Sequence, residues 1–313
     1  RPDMAFPLMD LKLEKALLLD ILGIPADKVD TYHFETTPTA EMIEKVRDEL
    51  PKRTLPRIEA TCGAVRYIAG NTNLVPVGMC IGPFSLMTKL MSDPITAVYM
   101  LGMGIQPDEE EAVGTVKKAL DLACMVIKEY ITKQIEAGAK AIIMCEPAAN
   151  KIYISPNQLE EGSDVFERCV MDYAFEIKDH LNKHKVDLIL HDCGELTDHI
   201  IERFVKLDPA ILSLGSSRTL WEDARIVPKT TVLYGNLPSK HFYSDEKITK
   251  AQVVEKSLEL VRKMKEVGHP FILGSECDVL SVPESIGTIN EKVGALVHCG
   301  CGCGCGHKPQ KAA

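Results

Sequence analysis

The chain lacks any uninterrupted apolar stretch near the roughly 18 residues that a membrane helix needs, so nothing in it reads as a span across a bilayer. No signal peptide is visible in its opening residues either. Arg1-Pro2-Asp3 opens directly into Met4-Ala5-Phe6-Pro7-Leu8-Met9, with no basic segment ahead of a long apolar core. The first residue is not methionine, and the expectation is that a native N-terminal segment precedes it. Clusters of Lys and Arg are missing too: the formal charge is −9 and acids and bases are interspersed, which leaves nothing to neutralise a run of phosphates and excludes nucleic acid as a partner. No G-x-G-x-x-G loop follows the first strand-like run, so a dinucleotide-binding fold has no support. Cysteine is the exception to this list of absences. There are eleven, but they are not spaced as a disulfide framework in a short secreted chain, and reduced thiols in a cytoplasmic protein fit better.

What is present is alternation. From about residue 75, apolar β-like runs alternate with amphipathic segments of helical length, the pattern of parallel strands joined by crossover helices. The runs are Val75–Cys80, Ala141–Met144, Val186–Leu190, Ala210–Ser213, Thr231–Tyr234 and Phe271–Leu273. The strongest helix is expected from about Val116 to Ala137, with Val116, Leu120, Ala123, Ile127, Tyr130 and Ile131 on one face and Gly138 as its stop. Others are expected at about 164–183, 195–206 and 251–267, the last closed by Gly268. Six such units, and an N-terminal region with room for one or two more, predict a single-domain TIM (β/α)₈ barrel over 1–298. Residues 299–313 read as a flexible Cys/Gly-rich tail, whose alternating thiols Cys299, Cys301, Cys303 and Cys305 are also a possible soft-metal chelator.

In a barrel the carboxyl ends of the strands converge on one face. His191 and Cys193 follow one apolar run and Cys277 another, so residues 84 positions apart in sequence can meet there. One imidazole and two thiols suit a tetrahedral zinc with one open position, the pattern of a catalytic site. The plainer reading of each is a buried imidazole or a small core thiol. Glu146, at the end of the 141–144 run, is a candidate general acid, because a carboxyl in an apolar pocket holds its proton to higher pH; a helix cap or a solvated acid is the alternative. Asn236 is a candidate substrate anchor or else a turn residue in Gly235-Asn236-Leu237-Pro238.

Read together, Gly82-Pro83-Phe84-Ser85-Leu86, His191-Asp192-Cys193-Gly194, Tyr234-Gly235-Asn236-Leu237-Pro238-Ser239 and the segment ending at Cys277 resemble the uroporphyrinogen decarboxylase superfamily. Within it they resemble the zinc-dependent, corrinoid-linked methyltransferases. The resemblance spans about residues 60–297 and implies a TIM barrel, zinc on His191, Cys193 and Cys277, and a corrinoid (cobalamin) carried by a partner protein. It also implies a small methylated substrate, with Tyr234, Asn236 and Ser217 as candidate contacts. The decarboxylases of the superfamily bind eight carboxylates through an arginine-rich N-terminal segment and use no metal, whereas the ten arginines here are scattered. Leu214-Gly215-Ser216-Ser217-Arg218 and the stretch from Tyr234 to Asp245 resemble components of anaerobic O-demethylases more than coenzyme M methyltransferases, which favours a methyl ether, aromatic in character, as donor. Related methyltransferases can place a carboxylate near the metal where this chain has Ser216 and Ser217, so Glu146, Glu195 and Glu276 are the candidates for a fourth ligand.

Overall fold

The computed structural model describes residues 3–299. Seven strands form one all-parallel sheet in sequence order: β1 Met4–Ala5, β2 Val75–Ile81, β3 Ala141–Cys145, β4 Asp187–Asp192, β5 Ile211–Leu214, β6 Val232–Leu237 and β7 Phe271–Ser275. Twelve helices connect or flank them: α1 Leu13–Leu22, α2 Ala40–Glu49, α3 Pro56–Asn71, α4 Pro83–Leu90, α5 Pro94–Gly102, α6 Glu111–Glu136, α7 Pro156–Glu160, α8 Asp172–Lys183, α9 Asp198–Val205, α10 Leu220–Asp223, α11 Lys250–Val267 and α12 Ile286–Cys299. Each of the six strand-like runs expected from the sequence is a strand, and the long helix, expected from Val116, begins earlier, at Glu111.

The strands form for the reason their composition suggests. β2, β3 and β4 are covered on both faces and accordingly read as near-continuous apolar runs rather than alternating ones. On α6, Val113, Val116, Leu120, Ala123, Ile127, Tyr130 and Ile131 are buried at three- and four-residue spacing, the stripe that packs against the sheet. α11 starts on a capping box, Thr249 with Gln252, and stops at Gly268, whose φ of +62° is a conformation that suits glycine. A cap of this kind contributes about 1 kcal/mol. Among the described residues no helix is long and apolar enough to cross a membrane.

The expected eighth strand is not found among the described residues, and β7 does not pair with β1. The N-terminal region supplies only the two-residue β1, and its remaining length goes into α1, α2, α3 and short turns. Side chains take over where β1 stops. Val75 N–H donates to Asp3 O, so the odd residues of β2 turn their backbone toward that side. Beyond β1, Met79 N–H donates to Gln134 Oε1 at 2.8 Å and Met79 O accepts from Gln134 Nε2 at 2.9 Å, while Ile81 N–H donates to Glu14 Oε1 at 2.9 Å. Two fully buried polar side chains, from α6 and α1, thus replace part of a neighbouring strand, satisfying groups that would be costly to bury unpaired.

Candidate metal centre

The carboxyl ends of β4 and β7 bring the expected trio together. His191 is the next-to-last residue of β4, Cys193 follows that strand directly, and Cys277 lies two residues past β7. One ligand atom from each of the three lies within 4.8 Å of the others. The two sulfurs are 3.6 Å apart. Zinc–sulfur bonds of about 2.3 Å at tetrahedral angles put two sulfurs about 3.8 Å apart, so the spacing fits two thiolates on one ion.

The imidazole is set for the same task. Its Nδ1 is hydrogen-bonded to Ser213 Oγ of β5 at 2.9 Å, while Nε2 is buried without a hydrogen-bond partner. A buried polar atom left unpaired is costly, and a metal ligand held in place through its other ring nitrogen is the usual arrangement that accounts for one. The two thiols are hydrogen-bonded to each other. Cys193 donates toward Cys277, which pushes Cys193 up and Cys277 down, and His191 adds to the lowering of Cys277. A lowered thiol is closer to the thiolate, the form a metal binds. Asp192, between the two β4 ligands, is buried and takes the Gly194 N–H at 2.7 Å, turning the chain just after Cys193.

His191 and Cys277 border a cavity of about 390 Å³ inside the sheet. Its wall is largely aliphatic: Met79, Ile143, Ile189, Ile211 and Ile272 come from β2, β3, β4, β5 and β7, and Met4, Phe6 and Met9 close the side next to β1. Tyr234 also lines it. Its ring lies over Gly274, where any Cβ would sit 2.3 Å from the Tyr234 ring, so glycine is required there for the phenol to reach the cavity. Burial holds the Tyr234 phenol above its usual range, leaving it a neutral hydrogen-bond donor at ordinary pH. Asp3 and Asp278 are the acids on the lining, and no Lys or Arg is found there.

The other expected site residues lie off the cavity. Glu146 is buried, and its carboxylate accepts from Phe84 N–H at 3.2 Å and Ser85 N–H at 2.5 Å, at the first turn of α4. Burial raises it to about 7, in the direction expected from the sequence, but its hydrogen bonds are those of a helix cap. Asn236 Nδ2 donates to Gly215 O and Arg218 O, both at 2.8 Å, bracing the loop after β5. Ser217 Oγ donates to Gly194 O at 3.0 Å. Of the candidate fourth ligands, Glu195 is exposed and paired with Lys151, and Glu276 accepts at Oε2 from Ser216 N–H at 3.1 Å and from Ser216 Oγ at 2.5 Å. Two contributors escaped sequence reasoning. Ser213 sits at a strand end beside the His191 strand, a position that register alone would have pointed to; Lys240, 3.8 Å from Cys193 Sγ, carries no local signal.

Comparison with known proteins agrees with this fold. Among solved structures, a methyltransferase from Methanosarcina mazei superposes with a TM-score of 0.60 at 16% identity, covering 95% of this chain and 80% of that one, a likeness of fold. No curated protein sequence matches the chain. The uroporphyrinogen decarboxylase (URO-D) family profile matches residues 15–299, nearly the whole described chain, and the chain therefore belongs to that family.

Proposed function

We propose that this protein is a zinc-dependent methyltransferase that takes a methyl group from a small methyl ether, aromatic in character, and passes it to the reduced cobalt of a corrinoid carried by a separate protein. The observation that carries the reading is the trio itself: an unpartnered buried imidazole nitrogen and two thiols at ligand spacing, opening on an apolar cavity. The Methanosarcina mazei fold relative is named a methyltransferase, which agrees with it. Closure of the sheet by an eighth strand from outside the described residues is part of the same proposal.

His191, Cys193 and Cys277 would hold the metal. Zinc bound there supplies Lewis acidity toward an oxygen, with no redox chemistry of its own. The chain does the rest. Ser213 fixes the imidazole through Nδ1, which would leave Nε2 for the metal, and the aliphatic wall excludes water from the reacting bond. In the transfer, the carbon–oxygen bond breaks with its electron pair staying on oxygen, and the Tyr234 phenol is placed on the cavity to donate a hydrogen bond to the oxygen as charge develops. A volume of about 390 Å³ lies in the range of small-ligand sites and admits a single substituted ring.

The two-thiolate ligand set favours a second reading, in which a substrate thiol is held as thiolate and accepts the methyl group, because electron-rich sulfur ligands reduce Lewis acidity. Porphyrinogen decarboxylation is disfavoured: a substrate with eight carboxylates has no cation to meet on a lining whose charged members are Asp3 and Asp278. A panel of aromatic and aliphatic methyl ethers, methylthiols and methanol, assayed with a reduced corrinoid protein by the cobalt absorbance change, separates these readings. Turnover highest with an aromatic ether is expected; turnover confined to thiols, or porphyrinogen decarboxylation without metal, would contradict the proposal.

A further inference from the structure

The 3₁₀ turn Ser239–His241, just past β6, is fastened to the Cys277 loop. Ser239 Oγ donates to Cys277 O at 2.8 Å and to Asp278 O at 3.1 Å. This staple delivers the next residue, Lys240, to the other thiol, with Nζ 3.8 Å from Cys193 Sγ. Lys240 is half-buried, and among the described residues it makes no salt bridge to a carboxylate within 4.0 Å. An ammonium withdrawn from water and given a sulfur instead of a carboxylate is an unusual use of lysine, whose compact charge ordinarily stays hydrated or paired with an acid. Neither Cys193 nor Lys240 borders the apolar cavity, whereas His191 and Cys277 do, so Lys240 reaches the centre through a ligand and not through the substrate.

We propose that Lys240 is a positioning residue for this centre: its ammonium fixes the Cys193 thiolate and draws electron density from that sulfur, making an ion held by the trio a stronger Lewis acid toward oxygen. The inference rests on reading the trio as a metal centre and deepens it. Two thiolates and a neutral imidazole would bring a zinc ion to a formal charge near zero. A cation hydrogen-bonded to one sulfur offsets part of that ligand charge where it acts most directly, because charge-assisted hydrogen bonds are about twice as strong as neutral ones. This bears on the choice between ether and thiol as substrate, since it restores Lewis acidity that two sulfur ligands alone would remove.

The test uses Co(II) added to the metal-free full-length protein and reads the sulfur-to-cobalt charge-transfer band. Subtracting the spectrum of a Cys193→Ser/Cys277→Ser variant isolates the site from the thiols at 299–305. A thiolate released from its hydrogen bond gives up an electron more easily, so Lys240→Met is expected to move the band to longer wavelength and Lys240→Arg to restore it. Thermal denaturation of both variants establishes that they fold. A Lys240→Met band at the native wavelength, or one that Lys240→Arg fails to restore, overturns the inference while leaving the metal centre standing. The absence of any site-specific band in the unsubstituted protein overturns the metal reading, and the inference with it.

Discussion

Two regions of the sheet put their buried polar side chains to different uses, although Glu14 Oε2 in the first is, like His191 Nε2 in the second, without a partner. Along the edge of β2, where β1 has ended, Gln134 and Glu14 give Met79 and Ile81 the partners that an adjoining strand would supply. At the ends of β4 and β7, His191 Nε2 is left unpaired, and the thiols of Cys193 and Cys277 have chiefly each other. The first arrangement keeps a sheet intact without its neighbour. The second gives up some stability and keeps ligand atoms free. Glu146 falls on the first side of this division, because both its oxygens accept backbone N–H groups of α4.

If that division is right, substitutions at the sealed positions act on stability, in decreasing order of the polar groups they strand. Gln134→Leu leaves the N–H and C=O of Met79 buried and unpaired, and at about 1–3 kcal/mol each the expected loss is about 2–6 kcal/mol in urea denaturation. A loss below about 1 kcal/mol would mean that β2 finds another partner. Glu146→Ala removes the cap of α4 and is expected to destabilise by about 1.5–3 kcal/mol, with turnover per folded molecule largely kept. Normal stability with turnover abolished would instead assign Glu146 to the chemistry. Glu14→Gln acts through the pH dependence of stability. Burial raises the Glu14 carboxyl from 4.5 to about 7, so the folded protein keeps a proton that the unfolded chain has released. Stability from this group is therefore full below pH 4.5 and lost as pH rises toward 7, by at most about 1.4 kcal/mol per pH unit. The variant should flatten that decline, and an unchanged slope would show that Glu14 titrates normally.

How far the sequence carried differs between the same two regions. The strands from β2 onward were legible because they are buried on both faces, and α6 and α11 because an apolar stripe ends at a glycine. The grouping of His191, Cys193 and Cys277 was legible because parallel topology sends every strand end to one face, so a motif split between residues 191 and 277 needs only the fold to unite it. The sealed edge was not legible. β1 has two residues, too few for any period, and Gln134 lies 55 positions from the residue it satisfies, inside an otherwise ordinary helix. Glu146 was ambiguous for a related reason: a strand-end carboxyl in an apolar setting reads the same whether it faces a substrate or a helix terminus, and its partners at 84 and 85 are about sixty residues away. The alternating cysteines of the tail begin at Cys299, the last residue of α12, and the expectation attached to residues 300–313 lies outside the described residues.

The central claim is that His191, Cys193 and Cys277 form one metal site, and its most direct test is the zinc content of the purified protein set against Cys193→Ser and Cys277→Ser. Each substitution is expected to remove one equivalent of zinc and, as loss of a direct ligand, to lower methyl transfer by more than about 100-fold while the protein stays folded. Zinc content unchanged in both variants, with activity retained, would contradict the account.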